Sequence, residues 1–151
     1  MPAPLIVAQI TDTHLFADPT QELYGIQTAQ SLQAVLVHLQ RLNPQPDLLL
    51  LTGDLSQDMT PKSYQQLSNY LAPFSFPIYW LPGNHDNPNI MRQIFNQGAI
   101  ASSQSFSREN WHFLLLDLLH ESRRVCQFKI ENPSNQIQAQ TKTFSAVTVA
   151  P

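Results

Sequence analysis

Three short apolar runs, each breaking off into polar residues that strands disfavour, constrain this chain more than any other feature. Leu5–Ile10, Asp47–Thr52 and Ile78–Leu81 lead into Asp12-Thr13-His14, Gly53-Asp54 and Gly83-Asn84-His85-Asp86 respectively. Runs of this length, rich in Leu, β-branched residues and aromatics, suit strands buried on both faces of a sheet. Helical patterns separate them. After the first run, Thr28 is a candidate N-cap, and Leu32, Val35, Leu36, Leu39 and Leu42 recur at three- and four-residue steps until Asn43 and Pro44 stop them. After the second, Thr60 and Pro61 read as N-cap and first helical residue ahead of Tyr64, Leu67 and Leu71, and Pro73 ends the pattern. Alternating strand and helix is the signature of right-handed βαβ units and a largely parallel sheet.

A third helix is expected from Asn87 and Pro88, burying Met91, Ile94 and Phe95. Beyond it, Ser103–Ser107 and Trp111–Leu116 flank the polar Arg108–Asn110 and read as a hairpin. From Glu121 the pattern weakens, with Arg123–Ile130 and Thr143–Val149 as the remaining strand candidates. The expected division is therefore a core over residues 1–119 and an irregular or short-stranded tail over 120–151.

Composition narrows the class of partner. A chain of 151 residues is about one domain's worth and can bury a core. Charged residues are only 13% of it, about half the usual ~25%, and 17 Gln take over much of the polar surface. The net charge of −3 is dispersed and no basic run exists, so nothing could neutralise a row of polynucleotide phosphates. Cys126 is the only cysteine, which excludes an intrachain disulfide. Met1–Asp12 has no basic segment ahead of its short apolar stretch, so neither a secretory signal nor a membrane span is expected. The expected setting is cytoplasmic.

The chemistry gathers at the strand ends. In an open α/β sheet, ligands bind in the crevice beyond the carboxyl ends of the strands, and three polar endings converge there. Asp12 and His14 can both turn toward one ion once the chain leaves the strict alternation of a strand. Gly53 and Gly83 permit tight backbone approaches beside Asp54 and Asn84. A carboxylate such as Asp54 can bridge two cations, and carboxylate, imidazole and amide together suit Mn²⁺, Fe or Zn²⁺. His85, next to a ligand candidate, can protonate a leaving alkoxide or stabilise phosphoryl charge. Singly, each motif has a bland reading: Gly-Asp is a common turn, Asp12 a turn cap, Pro82-Gly83 a turn signal. Their order and shared position favour the metal reading. Elsewhere the structural reading wins. His38 belongs to a helix surface, His112 to packing or a strand edge, and Tyr79 and Trp80 to the core. His120 follows a strand near the same rim but its structural reading is preferred. Asp117 either faces the cleft or ends its strand, and Arg123-Arg124 read as solvated rather than phosphate-binding.

Asp12-x-His14, Gly53-Asp54 and Gly83-Asn84-His85-Asp86, in that order, resemble the calcineurin-like metallophosphoesterases. Gln9–Phe16, Ser31–Val35 and Tyr79–Asp86 narrow the likeness to class III cyclic AMP phosphodiesterases, over residues 5 to about 119. The resemblance implies an α/β fold, the N-terminal half of an αββα sandwich with a mostly parallel sheet and flanking helices. It implies two divalent ions (Fe, Mn or Zn), with Asp12 and His14 on one, Asp54 bridging, Asn84 on the second, and His85 catalytic. It also implies a substrate: cyclic AMP, another cyclic nucleotide or a small phosphodiester.

The family has a later His before a further strand and a Gly-His-x-His segment that serves both metals; this sequence has neither in such a context, and its remaining histidines are His38, His112 and His120. Cys126-Gln127-Phe128-Lys129 resembles a segment found after those histidines, which suggests an internal deletion or a degraded gene. The expectations are a truncated, impaired hydrolase with poorly occupied metal positions, and self-association through uncovered apolar surface. The alternative is a non-catalytic remnant or binding module that keeps the early motifs.

Overall fold

The computed structural model describes residues 4–96 and 98–116, and all structural statements below concern these. The first strand, β1 (Val7–Ile10), is followed by β2 (Glu22–Leu23) and β3 (Ile26–Gln27), a small antiparallel pair absent from the sequence reading. Its connecting Tyr24 and Gly25 both take positive φ, which the tight two-residue turns of hairpins require.

Helix α1 (Thr28–Gln40) buries Ala29, Leu32, Leu36 and Leu39. Two expectations fail on it. The N-cap is Gln27, not Thr28, because the Thr28 hydroxyl bonds the His14 carbonyl instead (3.0 Å). Val35 is 51% exposed, since the sheet covers a narrower stripe than the apolar spacing suggested.

Strand β4 (Leu48–Thr52) precedes α2 (Pro61–Leu71), which starts as expected: Thr60 accepts from the Ser63 amide and Pro61 takes the first turn. Strand β5 (Ile78–Leu81) precedes α3 (Pro88–Ile94), capped by the Asn87 side chain on the amides of Asn89 and Ile90. Then β6 (Ile100–Ala101), also not anticipated, pairs with β5, and β7 (Ser105–Arg108) and β8 (Trp111–Leu114) form the expected hairpin. The strand candidates after Glu121 lie outside the described residues.

The main sheet has the order β1-β4-β5-β6 and is parallel throughout, with Ala8 beside Leu49 and Leu49 beside Ile78. Its two faces differ. Leu49, Leu51, Ile78, Trp80 and Ile100 join the helices' Leu36, Tyr64, Leu67 and Met91 in one core, with Ala8 and Ile10 packed against it. Each fully buried Leu contributes about 1.5–3 kcal/mol there. On the opposite face Leu48 is fully buried, but Val7, Gln9, Leu50, Thr52, Tyr79 and Leu81 are only half-buried. The expectation of strands buried on both faces is therefore met on one side only. On the open side Gln9 donates to the Thr52 hydroxyl (2.8 Å), and Tyr79 stacks on Phe106 at 3.5 Å between ring centroids. Trp80 is the core aromatic and Tyr79 is not, because adjacent residues of a strand point to opposite faces. No described helix is long and apolar enough to cross a membrane.

Candidate metal centre

Strands β1, β4 and β5 are neighbours and parallel, so their carboxyl ends lie along one rim. Beyond that rim the first two continuations remain laced together. The Asp12 amide donates to the Gly53 carbonyl (3.0 Å), the His14 amide to the Asp54 carbonyl (2.9 Å), and the Leu15 amide to the Leu55 carbonyl (3.0 Å). Between them the Thr13 hydroxyl donates to the Leu55 carbonyl (2.8 Å). Asp12, His14 and Asp54 all adopt left-handed backbone, with φ of 56°, 42° and 52°. Such conformations cost L-residues about 1–2 kcal/mol each and cluster at functional sites. Here their effect is to abandon the strand's pleat and gather the three side chains.

The gathering is tight: one ligand atom from each of Asp12, His14 and Asp54 lies within 4.8 Å of the others. His14 Nε2 is 3.9 Å from Asp12 Oδ1. Among the described residues, no Lys or Arg pairs with either carboxylate. The His14 Nδ1 is buried and has no hydrogen-bond partner among them. Two like-charged carboxylates beside an uncommitted imidazole form a donor set that a divalent cation fits, both in charge and in oxygen and nitrogen ligand type.

The third motif approaches through glycine. A side chain at Gly83 would land on the Asp54 amide and carboxylate, and one at Gly53 would meet the Gly83 backbone. This contact lets the His85 amide donate to Asp54 Oδ1 (2.9 Å) and sets the His85 ring edge-on to His14, 5.5 Å between centroids. Asn84 lies between those two contacts and its side chain is exposed.

Of the other histidines, His38 is exposed on α1, and His112 is exposed with its ring between the hydroxyls of Ser105 and Ser107. His120, Asp117 and Arg123-Arg124 lie outside the described residues. Asp58 and Asp86 have roles that no sequence motif or periodicity announces. Asp58 accepts from the Ala17 amide and from the Thr60 amide and hydroxyl, tying the first loop to the start of α2. Burial pushes its carboxyl up, but those bonds outweigh it and hold its pKa below the ordinary 3.8. A lowered carboxyl stabilises the fold above the ordinary value, and that stability is lost as pH falls through the folded pKa. Below about pH 4 the melting temperature should therefore fall less steeply in Asp58→Asn than in the native chain. Parallel acid limbs in thermal melts would contradict this.

Residues 5–139 match the pattern of the calcineurin-like phosphoesterases. The chain is 50% identical over 114 residues to a 3',5'-cyclic-nucleotide phosphodiesterase of Nostoc sp., covering 76% of this chain and 43% of that protein. It is 41% identical over 112 residues to the 3',5'-cyclic adenosine monophosphate phosphodiesterase CpdA of Escherichia coli, covering 74% and 41%. A probable cyclic nucleotide phosphodiesterase of Synechococcus sp. is 36% identical over 119 residues, covering 79% and 46%. The chain thus spans less than half the length of these relatives.

Proposed function

This chain belongs to the calcineurin-like phosphoesterase family, and from that premise we propose that it carries one side of a two-metal site for hydrolysing a cyclic nucleotide such as cyclic AMP. The observation that carries the reading is the convergence of Asp12, His14 and Asp54 at the sheet rim, with the His85 amide on the Asp54 carboxylate. When bound, divalent cations supply neutralisation of phosphoryl charge and activation of water. Asp12, His14 and Asp54 would hold one cation, and Asp54 and Asn84 would offer oxygens to a second. The His85 amide orients Asp54, and the His85 ring, beside His14, delivers a proton to the oxygen that leaves phosphorus as water adds to it. The activities of the cyclic nucleotide phosphodiesterases it resembles support the choice of substrate.

Among the described residues the first position would have three protein ligands, Asp12, His14 and Asp54, the minimum seen in catalytic zinc sites. Among the described residues the second would have only Asp54 and Asn84, which would leave the clamp on phosphate incomplete. Cyclic AMP hydrolysis by this chain with saturating Mn²⁺ or Fe²⁺ is expected to be slow or undetectable, and indistinguishable from His85→Ala and Asp54→Ala. Turnover near one per second or faster, about the low end for enzymes, and lost in both variants would overturn the impaired reading and establish the enzyme. Mn²⁺ binding without turnover is what a remnant or binding module would give.

A further inference from the structure

We propose that Tyr64 and Asp86 are a positioning pair that fixes the distance between the loop carrying Asp54 and the loop carrying Asn84 and His85, an inference that rests on the metal reading of those loops. Asp86 follows His85 in sequence, yet its side chain turns away from the rim and is 93% buried, 7% remaining exposed. Its Oδ1 accepts from the Ser56 amide (3.0 Å) and the Tyr64 hydroxyl (3.1 Å). Its Oδ2 accepts from the Gly83 amide (2.8 Å), and the Leu55 amide is shared between both oxygens (3.1 Å). Leu55 and Ser56 directly follow Asp54, and Gly83 directly precedes Asn84. One carboxylate therefore holds the backbone of both loops from beneath.

Tyr64 completes the arrangement from a different element. It lies on α2, fully buried, with its ring edge-on to Phe95 at 5.9 Å. Its hydroxyl donates to Asp86 and accepts from the Asn87 amide (2.8 Å), the residue that caps α3. Burial of the phenol, opposed by the Asn87 amide and reinforced by the Asp86 charge, holds its pKa far above the ordinary 10.0. It remains a donor throughout the working pH range.

A buried carboxylate is costly unless its hydrogen bonds are complete, and an apolar pair of similar volume would fill the space without that cost. Among the described residues no cation pairs with Asp86. What the polar pair provides, and an apolar one would not, is a fixed point shared by two loops whose separation sets the cation geometry. Neighbours that orient ligands without touching the metal typically control 10–100-fold in affinity.

The test is Mn²⁺ titration of the full chain, followed by the electron paramagnetic resonance of free Mn²⁺. Native chain, Tyr64→Phe, Asp86→Asn, the double variant and Leu36→Ala are compared at a temperature where each is fully folded. Tyr64→Phe keeps the ring and removes only the hydroxyl. It should weaken Mn²⁺ binding about tenfold, while Leu36→Ala, a core truncation on α1, leaves affinity unchanged despite its lower melting temperature. The double variant should be no weaker than Asp86→Asn alone, because the two act as one unit. Equal losses in Tyr64→Phe and Leu36→Ala, native affinity in Tyr64→Phe, or additive losses in the double variant would each overturn the pair. If Asp86→Asn does not fold, Tyr64→Phe against Leu36→Ala decides alone. Absence of Mn²⁺ binding by the native chain would instead sink the metal reading, and the positioning role with it.

Discussion

Gly83→Ala is expected to be the most damaging single-methyl substitution in this chain, costing more than about 4 kcal/mol, a size reserved for a few severe mechanisms. The new Cβ would coincide with the Asp54 amide and carboxylate, and although the carboxylate can turn, the amide is backbone that has no rotamer to change. The opposite wall is Gly53, whose φ of +94° already uses the freedom glycine has. The Asp54 loop cannot retreat without breaking the Asp12–Gly53 and His14–Asp54 backbone hydrogen bonds, nor the Gly83 loop without breaking the His85–Asp54 bond and the Asp86 bonds to the Leu55 and Ser56 amides. Thermal melts should show a fall of roughly 8–16 °C, taking 2–4 °C per kcal/mol for a chain of this size, or loss of the cooperative transition. Gly98→Ala is the control: it also has positive φ, but nothing lies within 4 Å of its Cβ position. Its cost should stay near the 1–2 kcal/mol of left-handed backbone. Equal effects at the two glycines would show that the Gly53–Gly83 contact is not close-packed.

Asp54→Asn is expected to change the sign of its effect with metal. Without cation, the Asp12 and Asp54 carboxylates repel each other beside His14, and the amide relieves that repulsion while its oxygen can still accept from the His85 amide. In chelator, the variant should melt at or above the native temperature. With Mn²⁺ in excess the order should reverse, because ligand binding stabilises the native chain by mass action and Asp54 belongs to both of the proposed cation positions. The affinity loss should exceed the 10–100-fold typical of outer residues. Native chain and variant are compared by calorimetric melts with chelator and across a Mn²⁺ series. A variant less stable than native in chelator would mean that Asp54 serves the fold, not a cation.

What the amino-acid sequence determined by itself was local. Thr60-Pro61 and Asn87-Pro88 start helices because an N-cap side chain and a proline act within one turn. The strands ending near Asp12, Gly53 and Gly83 were legible because a short apolar run meeting polar residues is itself the signal. The order of the three motifs carried the family resemblance and, with it, the αββα expectation.

Tertiary structure decided whatever depends on residues far apart in the chain. Thr28 caps nothing because the His14 carbonyl comes within reach of its hydroxyl, and Val35 faces solvent because the sheet is narrower than the apolar stripe. Ile100–Ala101 becomes a strand only because β5 offers a free edge. The left-handed turns at Asp12, His14 and Asp54 are unfavourable for the isolated segments. They persist because backbone hydrogen bonds between the first two loops and the Gly53–Gly83 contact hold them. Asp86 read only as the last letter of a motif. Its work is to join the amides of Leu55, Ser56 and Gly83 to a tyrosine on another helix, and no periodicity records that. Composition and spacing report what a residue can do over a few positions, whereas convergence across a sheet rim is settled only when strands pair and their ends are brought into register.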